Sequence, residues 1–204
     1  ITDKSVSDIT RDARPMAFSG TGFMAEDENI ISVLIGDNRL VARMGFSHPD
    51  VVRPLFHVFN IIRAVKKDNV GGNIKGVVYN ENSISLKFWG AKGWQESIFN
   101  DEVQGYWQIE MRRELGEEKE TFLAELYPDL TEEEMVVLTV KLSYIHTGEM
   151  AAFYGMRYGF YEGHTDYRAD PVSIASVFGL RSLEELEGAF ENDLYRTLTD
   201  HFTE

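Results

Sequence analysis

Apolar and polar positions follow two different rhythms along this chain, and the change falls near residue 113. In the first half, Ile84, Leu86 and Phe88 alternate with Ser83, Ser85, Lys87 and Trp89. Val103, Gly105, Trp107, Ile109 and Met111 alternate in the same way with Gln104, Tyr106, Gln108 and Glu110. A strict period of two marks strands with one covered face, so residues 74–111 read as an antiparallel meander. Its reversals fall at Asn80–Asn82, Gly90–Gly93 and Asn100–Glu102. Upstream, Met16–Ser19 and Phe23–Met24 are strand-like. Ile30–Ile35 and Arg39–Met44 flank Gly36-Asp37-Asn38, a hairpin signal because Gly and Asn tolerate positive φ. One helix interrupts this half. Ser47-His-Pro-Asp50 has the shape of a capping box, and Val51, Val52, Leu55, Val58, Phe59, Ile62 and Val65 recur at helical spacing. Pro54 lacks a backbone donor, so the regular helix is expected to begin near it or to kink there, and to end over Asp68–Gly72.

Beyond Arg113 the spacing becomes helical. Glu117–Leu126 is a short helix stopped by Tyr127-Pro128. Thr131-Glu-Glu-Glu134 is a capping box, followed by a buried stripe of Met135, Leu138, Leu142, Ile145, Ala152 and Met156. That stripe fits one helix from Thr131 to Tyr161, or two pieces broken near Gly148. Asp170-Pro171 opens a further helix that Gly179 closes. Ser182-Leu-Glu-Glu185 caps the last, with Leu186, Phe190, Leu194, Leu198 and Phe202 inward.

The pattern predicts an α+β fold: an N-terminal hairpin, helix and antiparallel β-meander of about five to seven strands, packed against a C-terminal half of roughly three or four helices. The expected organisation is one domain over 1–204, with a β-rich subdomain at 16–113, an acidic helical subdomain at 114–204, and 1–15 as a tail or short helix. Trp89 and Tyr106 point away from the Leu/Ile-bearing face of their strands. They predict helices on both faces of the sheet, with an aromatic binding surface as the alternative.

Charge sharpens this picture. The formal net charge is −14, and residues 101–204 alone carry 23 acids against 8 bases. Within that half, residues 101–140 hold 12 acids and 3 bases, while residues 141–168 hold three of each. Two acidic flanks therefore surround a neutral strip rich in Tyr and His. The acidity argues against binding nucleic acid. Ala175-x-x-x-Gly179 has helix-turn-helix spacing, yet the following segment carries Glu184, Glu185, Glu187, Glu191 and Asp193, which phosphates would repel. The absence of cysteine removes disulfides and thiolate chemistry. No apolar run reaches the ~18–20 residues of a membrane span. Ile1 in place of an initiating Met implies an upstream segment cut away, which leaves a soluble protein either cytoplasmic or exported.

The neutral strip concentrates the residue types that carry chemistry. His146, Glu149, Tyr154, Arg157, Tyr158, Glu162 and His164 form the candidate ligand-binding set. If the helix runs through, His146 and Glu149 lie one turn apart, and Glu149 falls in the buried stripe, where a lone carboxylate is costly. It needs a partner, with Arg157, His57 or a metal as candidates. Gly148, Ala152, Gly155 and Gly159 make a small-residue strip that permits close approach of another helix or a ligand. No cofactor and no metal is assigned. The expected function is a non-enzymatic binding or accessory protein whose acidic helical surface meets a basic protein partner. The alternatives are a small hydrolase or lyase with a His/Glu/Arg site in 146–168, and a binder of a lipid- or sugar-like small ligand in a Tyr-lined pocket.

Overall fold

The computed structural model describes residues 3–65, 71–191 and 193–199. The chain runs α1 (Val6–Ala13), α2 (Ile30–Arg43), α3 (His48–Val65), β1 (Gly72–Tyr79), β2 (Asn82–Glu96), β3 (Gln104–Arg112), α4 (Glu117–Leu126), α5 (Glu132–Ser143), β4 (Tyr144–Gly148), α6 (Glu149–Tyr158), α7 (Pro171–Val177), α8 (Leu183–Ala189) and α9 (Leu194–Thr199). The class is α+β. The sheet is antiparallel throughout, in the order β1-β2-β3-β4. β2 meets β3 in two segments separated by a register shift between Gly90 and Gln95; counted apart, these give five strand segments.

The meander forms as its alternation predicts. Val77, Ile84, Leu86, Phe88, Trp107, Ile109, Met111 and Ile145 are buried, and all belong to one core that also takes in residues of α3, α5, α6 and α7. The opposite face carries Lys75, Ser83, Ser85, Lys87 and Arg112 at exposed positions, and Trp89, Tyr106, Gln108, Glu110, Tyr144 and His146 at half-buried ones. The core is therefore one-sided, and the expectation of helices over both faces does not hold. A second cluster gathers Ile9, Phe23, Ile30, Val33, Ile98, Phe99, Met150, Tyr154 and Phe160 beside α1, α2 and α6.

Two further expectations change, and the choice left open after Thr131 is decided. The predicted hairpin at Ile30–Met44 is the helix α2, capped by Asn29, whose side chain accepts from the Ile31 amide. Its buried positions, Ile30, Val33, Asp37, Leu40 and Val41, have helical spacing. Gly36 inside a helix costs about 1 kcal/mol against Ala, and the burial of that stripe outweighs it. Met16–Ser19 and Phe23–Met24 are turns and bends, not strands. The long stripe after Thr131 is broken: α5 ends at Ser143, Tyr144–Gly148 joins the sheet edge as β4, and α6 starts at Glu149. Ile145 lies opposite Met111 and Thr147 opposite Ile109, so β4 supplies partners for the free edge of β3.

Local signals fared better. The capping boxes at Thr131 and Ser182 both form, and Asp170 caps α7 with Pro171 in its first turn. The last predicted helix divides into α8 and α9; Phe202 and the Asp68–Val70 part of the predicted helix end lie outside the described residues. Pro54 sits inside α3 instead of starting it. The small-residue strip serves helix packing: a Cβ on Gly155 would stand 2.5 Å from Val52 Cγ1, and one on Gly159 would stand 2.6 Å from His48 Nε2.

Candidate functional site

The seven residues of the neutral strip do not converge. They go to four places. Glu149, buried at the start of α6, pairs with Arg63 of α3 and accepts from the amides of Tyr106 (2.9 Å) and Trp107 (3.4 Å). Its partner is neither Arg157 nor His57, which rests against the Tyr79 ring. The carboxylate is held where β3 loses its regular pairing with β2, and it accepts from two amides there. Arg157 and Tyr158 both bind Asp101, at 3.0 and 2.7 Å, and Tyr154 accepts from the Ile98 amide at 3.1 Å. These contacts tie the 97–103 turn to α6.

Glu162 and His164 lie in the loop between α6 and α7, around a buried ionic network. Arg168 reaches Asp37 Oδ1 at 2.6 Å and Asp170 Oδ2 at 3.4 Å, and also donates to the Glu162 carbonyl. Asp37 Oδ2 accepts from the Tyr161 amide at 3.0 Å. Burial pushes Asp37 up to about 6 in spite of Arg168. Glu162 is buried with the Thr165 hydroxyl at 3.3 Å from its Oε2, and desolvation pushes it up to about 8. Its φ of +67° is a left-handed conformation that a non-Gly residue adopts at a cost. His164 meets Glu28 at 2.7 Å on the outer side of the loop. This network fixes α2 against α7 and accounts for how an aspartate is tolerated in the apolar stripe of α2.

His146 goes elsewhere, to the open face of the sheet. Its ring lies 5.6 Å from that of Trp89 and 4.6 Å from that of Tyr167. Burial holds it below the usual histidine range, so the ring is neutral at pH 7, and its Nε2 has no hydrogen-bond partner among the described residues. Trp89 is fixed by its indole N–H, which donates to Gln108 Oε1 at 2.6 Å. Pairing sets the cross-strand row Asn73, Lys87, Glu110, His146, and beside it the row Ser85, Arg112, Tyr144.

Next to the aromatic group a cavity of about 420 Å³ opens over these rows, lined in part by Lys75, Ser85, Lys87, Glu110, Arg112 and Tyr144. Lys87 pairs with Glu110 at 3.2 Å, and the Arg112 guanidinium stands 5.8 Å from the centre of the Tyr144 ring. Lys75 and Arg112 form no ion pair among the described residues. Three cations against one carboxylate give this lining the opposite sign to the chain as a whole. Burial and Glu110 keep the Tyr144 hydroxyl protonated. The arrangement offers cationic donors, a phenol and a ring stack, which are the groups that bind an anion carrying a flat apolar part.

Of this site the sequence flagged His146, and Trp89 and Tyr106 as aromatics on the far side of the strands. It missed Lys75, Lys87 and Arg112. Their signal was the alternation itself, since each occupies a position opposite in phase to a core residue. Among the described residues no group of three His, Asp or Glu side chains is arranged to hold a metal ion, and no helix is long and apolar enough to cross a membrane. Compared with protein-family models, curated proteins and solved structures, the chain matches none of them at the level expected of a relative.

Proposed function

We propose that this is a non-enzymatic binding protein that takes a small anionic, ring-bearing ligand on the open face of its sheet. The observation that carries the reading is the cation-lined cavity of about 420 Å³ in a chain of net charge −14, with His146, whose Nε2 has no hydrogen-bond partner among the described residues, paired across the strands with Glu110 of its lining. Its volume falls within the ~300–1,000 Å³ of small-ligand pockets. The test is a calorimetric titration with naphthalene-1-sulfonate, against uncharged 1-naphthalenemethanol as control. The sulfonate should bind saturably and the alcohol should not. Arg112→Ala and Lys75→Ala should each weaken it roughly tenfold, the worth of one charge-assisted hydrogen bond. Equal binding of both probes, or indifference to both substitutions, refutes the reading.

A second reading rests on α5. Val136, Val137 and Val140 are exposed on it, 57%, 39% and 43% respectively, next to Glu132, Glu133 and Glu134. Valines are poor helix formers, and their exposure forgoes burial, so an apolar strip rimmed by acids suits a basic amphipathic segment of a protein partner. An amphipathic Lys/Leu helical peptide should bind more tightly than its scrambled isomer, more weakly as salt rises, and not at all after Val137→Glu. Identical affinity for the two peptides counts against this surface.

A further inference from the structure

Arg112 and Arg113 are consecutive at the end of β3, so they leave the sheet on opposite sides. Arg112 joins the open face. Arg113 turns inward to α7, where its Nη1 donates to the Ser176 carbonyl at 2.6 Å. Beside it lies a separate cavity of about 220 Å³, lined in part by Asn82, Arg113, Lys119, Gly179, Arg181 and Ser182. Three cations from three parts of the chain meet here: Arg113 after β3, Lys119 from α4, and Arg181 between α7 and α8. Among the described residues no carboxylate belongs to the lining.

Two of the cations, Arg113 and Arg181, are held in place. Arg181 lies over the Phe46 ring at 4.4 Å and donates to the Met44 carbonyl at 3.4 Å. Lys119 is half-buried and makes no ion pair among the described residues. Glu184 and Glu118 lie close enough to favour its charged form, yet burial and the neighbouring Arg113 outweigh them and lower its affinity for the proton. Burial likewise works against the charge on Arg113. Gly179 keeps the space open. With φ at +62°, a Cβ there would stand 2.0 Å from Asn82 Nδ2 and 3.5 Å from Arg113 Nη1. Asn82 and Ser182 add short neutral polar groups at the rim.

We infer that this cavity is a binding site for a phosphate group, held by Arg113, Lys119 and Arg181 with Asn82 at its edge. Repulsion between the half-buried Arg113 and Lys119 is unfavourable without a ligand, and a dianion placed among the three cations reverses its sign. Arginine forks match tetrahedral oxyanions in a way that point charges do not. The volume is below the ~300–1,000 Å³ range of drug-sized ligands, which selects a small group such as free phosphate or a phosphomonoester end. Among the described residues the site shares no lining residue with the open-face cavity, and it stands independently of the function proposed for it.

The test is isothermal titration calorimetry of the purified protein at fixed ionic strength, with inorganic phosphate in one arm and O-phosphoserine in the other, on wild type, Lys119→Gln and Arg181→Gln. Saturable binding is expected, weakened roughly tenfold by Lys119→Gln, which removes one charge-assisted contact and no ion pair. Tighter binding of phosphate identifies the free ion, and tighter binding of phosphoserine identifies a phosphorylated ligand; either upholds the site. Phosphate also stabilises proteins generally by exclusion from their surfaces, an effect that does not saturate and is the same in every variant. Only that unsaturated effect, or equal affinity in wild type and both variants, overturns the inference. Thermal melts without phosphate should show Lys119→Gln folded as wild type, so a loss of binding cannot be ascribed to unfolding.

Discussion

The two faces of the sheet are built from neighbouring residues of the same strands, yet they do different work. On the covered face Phe88, Trp107, Ile109, Met111 and Ile145 are buried against the helices, and Phe88 meets Trp107 edge-on at 5.8 Å. On the open face Lys87, Trp89, Glu110 and His146 hold one another in place, Arg112 lies over Tyr144, and His146 Nε2 has no hydrogen-bond partner among the described residues. Stability comes from the first set. The second set is preorganised by it, because strand register alone brings Lys87, Glu110 and His146 into one row. The difference teaches that a rigid sheet can carry a charged, aromatic surface at little cost to the fold, provided the other face is fully packed.

Adjacent substitutions should separate the two most sharply. Phe88→Ala empties part of the core and should cost about 3–5 kcal/mol in urea denaturation, whereas Lys87→Ala should cost about 0.5 kcal/mol or less. Comparable losses at both sites would erase the distinction. The loop that brings Tyr167 against His146 supplies a pH-dependent effect. Glu162 is raised from 4.5 to about 8, so the native state holds a proton that the unfolded chain has released across that interval. Its contribution to stability is complete below pH 4.5 and is lost as pH rises through about 8. Glu162→Gln should therefore gain on wild type with rising pH, by up to about 1.4 kcal/mol per unit within that window. Parallel pH–stability curves would show that the carboxyl is not buried protonated.

Where the faces meet, Glu149 accepts from the amides of Tyr106 on one side and Trp107 on the other. Glu149→Gln keeps an acceptor but loses the pair with Arg63, which is 46% exposed, so a loss of about 1–3 kcal/mol is expected, smaller than for a fully buried pair. Smallest in stability, and largest in binding, are Lys75→Ala and Arg112→Ala: within about 0.5 kcal/mol of wild type in denaturation, yet roughly tenfold weaker for an anionic ring.

Much of the architecture was legible because its causes are local. Alternation marked β2 and β3, and the caps at Thr131, Asp170 and Ser182 each bond to backbone within three residues. What escaped depends on distant partners. Ile30–Ile35 is a mostly β-branched segment that fits strand or helix; its helical state buries Asp37 against Arg168, 131 positions away. Leu138, Leu142 and Ile145 keep helical spacing across the junction from α5 into β4, so the break left no mark on the period. Arg63 was hidden as the partner of Glu149 because the two stand 86 positions apart. The site was half legible for the same reason. Its aromatics stood out by type, but the convergence of Lys75, Lys87 and Arg112 follows from strand register, which no local pattern states.

The most direct test follows the two indoles that sit on opposite faces of the sheet. In a ¹H–¹⁵N titration with naphthalene-1-sulfonate, resonances assigned through Trp→Phe variants, the Trp89 indole N–H should shift saturably while that of Trp107, 7% exposed on the packed face, stays still. A Trp107 shift equal to that of Trp89, or no saturable shift at Trp89, would contradict the assignment of binding to the open face.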